Sequence, residues 1–328
     1  MSFTLPTETI ELPSKGLIYP SDNPLSSGTV EIKYMTAKEE DILTNQNYIA
    51  NGSVLDKLLK SLIVSDINYN DLLIGDKNAI MVSARILGYG AEYRFNYDNV
   101  EEVVDLSKLE NKVLDESLYT KGLNEFQFTL PTSGNEISFK LLTHGDEIKV
   151  TQELEGLKKI NKEGSPELTT RLKYMITSIN GDRERKTIRE FVDTAFLARD
   201  ARAFREYIQK IQPDVDLTFF PSGTTKHLPL PIGISFFGLT STLAKQYRVN
   251  FLTQIHEICF YGQGGYSWND VYNMPLWLRK FTYQKIKEHY DKQSEQVSES
   301  KKPSNTNNLI GKDGKISTPK FGNKTSYK

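Results

Sequence analysis

The sequence predicts an α+β protein, mainly helical, with small antiparallel β-hairpins and a disordered C-terminal tail. Three observations carry that expectation. Apolar residues recur at three- and four-residue steps over several long stretches. Two other stretches carry alternating apolar residues or strand formers around turn residues. The chain from 291 to 328 then becomes polar, with eight Lys against four acidic residues.

The opening "ELPSKGLIYP" is punctuated by Pro13, Gly16 and Pro20, which is turn chemistry. "TVEIKYM", Thr29 to Met35, alternates as a strand does. Thr36 and Glu39 then stand at capping-box spacing, which predicts a helix start. A second helix is expected from Ser53, with Val54, Leu55, Leu58, Leu59, Leu62 and Ile63 on one stripe. A third has Asp76 near its start and Gly88 or Gly90 near its stop.

"NEFQFTLPTSGNEISFKLL" predicts a hairpin turning at "PTSG", followed by a helix from "THGDE". Residues 171 to 211 are expected to be mostly helical, with one long helix through "IREFVDTAFLARDARAFREYI". Its wide apolar face implies burial against more than one neighbour. "VDLTFFPSGTTKHLPLPIGISFFG" predicts a second hairpin turning at Gly223. A helix over Ser241 to Phe260, a glycine turn and a helix over Pro275 to Tyr290 complete the order. The expected organisation is an α+β unit over 1–160, a mainly helical unit with a hairpin over 165–290, and the tail.

Composition narrows the function classes. Hydrophobic residues at 38% and charged residues at 25% describe a foldable chain. A net charge of −1 argues against nucleic acid as the main partner, because that function usually shows a basic excess. Cys259 is the only cysteine, so it can form neither an intrachain disulfide nor a cysteine-based zinc site by itself. Neither a signal peptide nor a membrane span is read, and no membrane partner is expected.

Few residues look like chemistry. "LIGDKNAI" lacks the spacing of a phosphate loop and reads as a helix start. "LTHGDE" gathers His144, Asp146 and Glu147 at a strand end, where acid–base work is conceivable and a structural turn is the plain alternative. His256 and Cys259, three apart, would share a helix face near Gly262, Gly264 and Gly265. Yet "ICFY" is an apolar setting in which cysteine packs as a small hydrophobe. The expectation is no catalytic residue, no cofactor and no metal. The segment "GQGGYSWNDVYNMPLWLRKF" instead concentrates large side chains beside a turn. Trp268, Tyr272, Met274, Trp277 and Arg279 are the candidate partner anchors, core packing being the alternative for each.

Several segments carry a resemblance. "LPSKGLIYP", "VEIKYMTAKEEDILTN", "DLLIGDKNAIMVSARILGYGAEY", "FKLLTHGDE", "ITSINGD" and "GQGGYSWNDVYNMPLWLRKFTYQKI" resemble the baseplate hub and hub-assembly proteins of T4-like contractile-tailed bacteriophages. The resemblance implies a non-enzymatic role as a hub subunit or assembly chaperone, templating the association of hub proteins. Implied partners are other baseplate hub proteins and the tape-measure protein. Implied locations are the cytoplasm of the infected host and the virion tail baseplate. Relatives are expected to carry Cys-x-x-Cys pairs after "YGAEY" and in the later hairpin. Here "RFNYDNVEE" and "FFPSGTTKH" hold none, so these turns must be held by packing and hydrogen bonds, without zinc. The alternatives are a hydrolase using His256 and Cys259, or His144 with Asp146, and a nucleic-acid-binding module acting through the Lys-rich tail.

Overall fold

The alternation around "TVEIK" pairs with a strand just upstream. In the computed structural model, which describes residues 6–160, 166–222, 224, 226–240 and 242–300, β1 (Thr7–Glu11) runs antiparallel to β2 (Thr29–Lys33). The turn-rich segment between them is tied down by a carboxylate. Asp76 is wholly buried and accepts from the Ser14 amide (2.9 Å), the Ser14 hydroxyl (2.7 Å) and the Tyr19 hydroxyl (2.6 Å). Burial pushes the Asp76 carboxyl above its ordinary range.

Thr36 and Glu39 form the expected capping box on α1 (Ala37–Leu43): the Thr36 amide donates to Glu39 at 2.9 Å. A short helix, α2 (Gln46–Ala50), intervenes before α3 (Val54–Leu62), whose Val54, Leu58, Leu59 and Leu62 are buried. The next helix, α4 (Ile74–Tyr89), stops at Gly90.

A hairpin that the sequence reading does not anticipate follows. Strands β3 (Glu92–Tyr97) and β4 (Val100–Asp105) are joined by Asp98 and Asn99, both at positive φ, the geometry of a tight two-residue turn. The hairpin expected around "PTSG" forms from β5 (Phe126–Thr129) and β6 (Glu136–Phe139). A third strand joins it: β7 (Ile176–Ile179) lies on the far side of β6, giving the order β5-β6-β7. Between them run α5 (His144–Ile160) and α6 (Glu167–Met175).

The single long helix expected after "NGD" is two helices, α7 (Arg185–Thr194) and α8 (Ala198–Ile211). The break turns Phe196 inward, where it meets Phe191 at 5.6 Å and Phe204 at 6.3 Å. It also lets the buried Asp200, in the first turn of α8, accept from the amides of Thr132 (2.7 Å) and Ser133 (3.1 Å) in the β5–β6 turn. One continuous rod would miss both contacts.

A third hairpin, β8 (Thr218–Phe219) with β9 (Leu228–Pro229), packs against the β3–β4 hairpin. Phe219 meets Phe95 at 4.9 Å and Tyr97 at 5.8 Å. Glu102 accepts from the Ser222 amide (2.7 Å) and hydroxyl (3.0 Å). Aromatic edges and one carboxylate thus hold together the two cysteine-free segments. Gly223, expected at the turn, lies outside the described residues.

The chain ends in α9 (Leu243–Tyr261), α10 (Trp268–Tyr272) and α11 (Leu276–Ser300). The helix α11 therefore runs ten residues into the segment expected to be a tail, and residues 301–328 lie outside the described residues. The main apolar core draws on residues from Leu12 to Leu276. A smaller cluster of Ala37, Phe251, Ile255, Ile258 and Val271 fastens α9 and α10 to α1. Among the described residues, no helix is long and apolar enough to cross a membrane.

Candidate functional site

The last three helices are positioned by polar contacts with the first. Glu40 and Arg279, both about 1% exposed at their side chains, form a buried ion pair. The Tyr247 hydroxyl donates to Glu40 at 2.7 Å. On the neighbouring residue, Arg248 approaches Asp41 at 2.8 Å and the Tyr272 hydroxyl donates to it at 3.2 Å. The Leu276 amide donates to the Met35 carbonyl at 2.7 Å. These contacts tie α9, α10 and α11 to α1 and to Met35 just before it.

Arg279 is therefore not a partner anchor. It sits on the inward stripe with Leu276 and Thr282, at helical steps of three, and is wholly buried. Its guanidinium also lies over the Phe251 ring at 5.8 Å. Tyr272 and Met274 are half-buried. The two tryptophans differ: Trp268 is 47% exposed and Trp277 is 52% exposed. Ser267 caps α10 with Asp270 in a reciprocal box, the Asp270 carboxylate accepting from the Ser267 hydroxyl at 2.6 Å. That cap fixes the start of the helix on which Trp268 stands.

Four aromatics not among the candidate anchors are exposed as well. Phe260, Tyr261, Tyr266 and Phe281 are each more than one-third exposed. Tyr261, Tyr266 and Phe281 line a groove of about 350 Å³ between α11 and the Gly262–Tyr266 turn. A second groove of about 270 Å³ lies on the other side of Tyr261 and Tyr290. The Tyr290 hydroxyl donates to the Tyr261 carbonyl at 3.2 Å and separates the two. Gly262 is required at this turn, since a Cβ there would lie 2.5 Å from the Ile258 carbonyl oxygen.

The proposed acid–base sets are not assembled. His256 stacks on Phe260, with ring centroids 6.0 Å apart, and no hydrogen bond joins it to Cys259 among the described residues. Burial and the Asp270 charge push the Cys259 thiol upward, away from the reactive thiolate. The Gly262 and Gly265 amides are spent on the Ile258 and Gly262 carbonyls. Asp146 does not orient His144. It takes the Lys140 ammonium at 2.7 Å and caps its own helix through Thr143.

His144 instead belongs to a cluster that sequence spacing conceals. It faces Asp56, Lys77 and Tyr69 at the edge of a polar cleft of about 470 Å³. Its hydrogen-bond partner is the Lys77 ammonium at 3.4 Å, and no serine, threonine or cysteine is hydrogen-bonded to it among the described residues. No group of three or more His, Cys, Asp or Glu side chains is placed to hold a metal ion among them either. No protein-family model, curated protein or solved structure matches the chain.

Proposed function

We propose that the protein is a non-enzymatic assembly factor or subunit of the baseplate hub of a contractile-tailed bacteriophage, templating the association of other hub proteins. The observation that carries the interaction role is the exposure of Trp268 on α10 and Trp277 on α11, helices tied to α1 by the Tyr272–Asp41 contact and the Glu40–Arg279 pair. A rigid aromatic patch loses little side-chain entropy on binding, so its buried area converts efficiently into affinity. The phage assignment rests on the resemblance of the quoted segments. The candidate partners are hub proteins and the tape-measure protein, in the infected cytoplasm and the tail baseplate.

The test is affinity isolation from infected cells, with mass spectrometry of immature hubs and purified virions. Recovery of hub proteins with the wild-type chain, and their loss with the Trp268→Ala/Trp277→Ala protein, is the expected result. Presence in virions would make it a subunit; presence only in immature hubs would make it an assembly factor. A wild-type chain recovered alone from both would overturn the proposal.

A further inference from the structure

We propose that the cleft between α6 and α8 binds a small medium-chain carboxylate, its alkyl chain lodged between the helices and its head group held by Arg205. None of the residues lining this cleft belongs to α9, α10 or α11, so the inference goes beyond the assembly role and does not rest on it.

The walls suit an apolar body. Leu142, Leu172, Met175 and Ile208 line a space of about 260 Å³, and each of them is at least nine-tenths buried. Leu168, 41% exposed, stands at the rim. At roughly 30 Å³ for a group the size of a water molecule, the space holds about nine such groups, the bulk of a short alkyl chain. Water gains few hydrogen bonds from walls of this kind, whereas a chain that fills them removes apolar surface from solvent.

Charge sets the head group. The lining holds one carboxylate, Glu147, and two guanidiniums, Arg171 and Arg205. Arg171 is already occupied: it pairs with Glu147 and, outside the lining, with exposed Glu167 at 3.3 Å. Arg205 differs. Its Nε donates to the Ala201 carbonyl of its own helix at 3.3 Å, and no carboxylate pairs with it among the described residues. Glu206, next in sequence, is held by Arg202 at 2.9 Å. The terminal nitrogens of Arg205 therefore stand open at the edge of an apolar slot, in the fork geometry that matches a carboxylate. An amine would meet the same guanidinium with like charge. An alcohol would gain a neutral hydrogen bond where a carboxylate gains a charge-assisted one.

The test is isothermal titration of the full-length chain with octanoate, octanol and octylamine, which share one alkyl chain and differ in the head group. Octanoate should bind at least about tenfold tighter than octanol, and octylamine should bind weakest. Arg205→Gln should bring octanoate down to the level of the alcohol and leave the alcohol unchanged. Leu168→Trp sets a larger side chain at the rim and should weaken both. Arg205 and Leu168 are exposed, so ligand-free thermal melts of the two variants should match the wild type. Octanoate should raise the melting temperature of the wild type more than that of Arg205→Gln. Equal affinity for octanoate and octanol, no binding of octanoate, or octanoate binding untouched by either substitution overturns the inference. An acetylated peptide ending in leucine that binds where octanoate does not would assign the cleft to a chain terminus, and overturns it too.

Discussion

His144 Nε2 lies 3.8 Å from Asp56 Oδ2, at the point where the start of α5 meets α3. Lys77 closes the triangle, 2.6 Å from Asp56 Oδ1 and 3.4 Å from His144 Nδ1. The Tyr69 ring stands edge-on to the imidazole at 4.7 Å, and its hydroxyl donates to Asp56 at 3.0 Å. Three helices and a turn are joined through four side chains.

This cluster predicts an acid-sensitive contact. Burial first, then the charges of Lys77 and Lys60, hold His144 below the ordinary histidine value, although Asp56 pulls the other way. Between that lowered value and about 6.5, the unfolded chain binds a proton that the folded chain refuses. The associated stability is therefore complete above about pH 6.5 and is lost as pH falls through the lowered folded value. Urea midpoints measured between about pH 7.5 and pH 5 should decline for the wild type and decline less for His144→Asn. Equal slopes would show that the histidine does not govern this range.

Removing one side of the Glu40–Arg279 pair should be far worse than removing both. Arg279→Met leaves a carboxylate buried with only Tyr247 as a described hydrogen-bond donor, and about 3–5 kcal/mol of stability should go. Glu40→Gln combined with Arg279→Met removes the charge and keeps an acceptor for Tyr247, so most of the loss should return. Chemical denaturation of the three variants measures the difference; equal losses in the single and double variants would refute it.

Gly75 should not tolerate a methyl group. A Cβ there would lie 1.9 Å from the Pro213 carbonyl oxygen, a backbone atom that cannot swing aside. Gly75→Ala should cost about 3 kcal/mol or more by forcing α4 away from the Pro213 segment. A melting temperature close to wild type would contradict that packing.

Adjacent residues on α11 should behave oppositely. Leu276 is 1% exposed and Trp277 is 52% exposed. Leu276→Ala should cost about 2–5 kcal/mol as a core truncation. Trp277→Ala should change stability by about 0.5 kcal/mol or less. If Trp277→Ala unfolded the protein, its role would be packing and the aromatic surface would lose its centre.

Local signals were legible where the residues that act are close in sequence. The Thr36–Glu39 and Ser267–Asp270 boxes, the "PTSG" hairpin and the stripe of α3 follow from spacing within a few positions. What escaped depends on distant partners. "ITSI" looks like the end of a helix until β6 offers it an edge, and the α7–α8 break appears only when Asp200 reaches Thr132. The β3–β4 hairpin did leave a local trace, Asp98-Asn99 between alternating apolar residues, and this could have been read. At the site, the two tryptophans are exposed while Arg279 takes the core-packing alternative, which spacing alone could not single out. Arginine is rarely buried unless paired, and its partner stands 239 positions earlier.

That separation has a consequence for how the chain is made. Glu40 is synthesised early, and the cation that neutralises it arrives 239 residues later. At 5–20 residues per second the delay is roughly 12–48 s. Until then a cluster closed over α1 would bury the Glu40 carboxylate without its cation. Phe251 and Ile255, which pack in the small cluster with Ala37 of α1, are themselves made only shortly before Arg279. A ribosome stalled before Arg279 would hold a chain lacking the ion pair that joins α11 to α1, so the exposed Trp277 takes its place only near the end of synthesis.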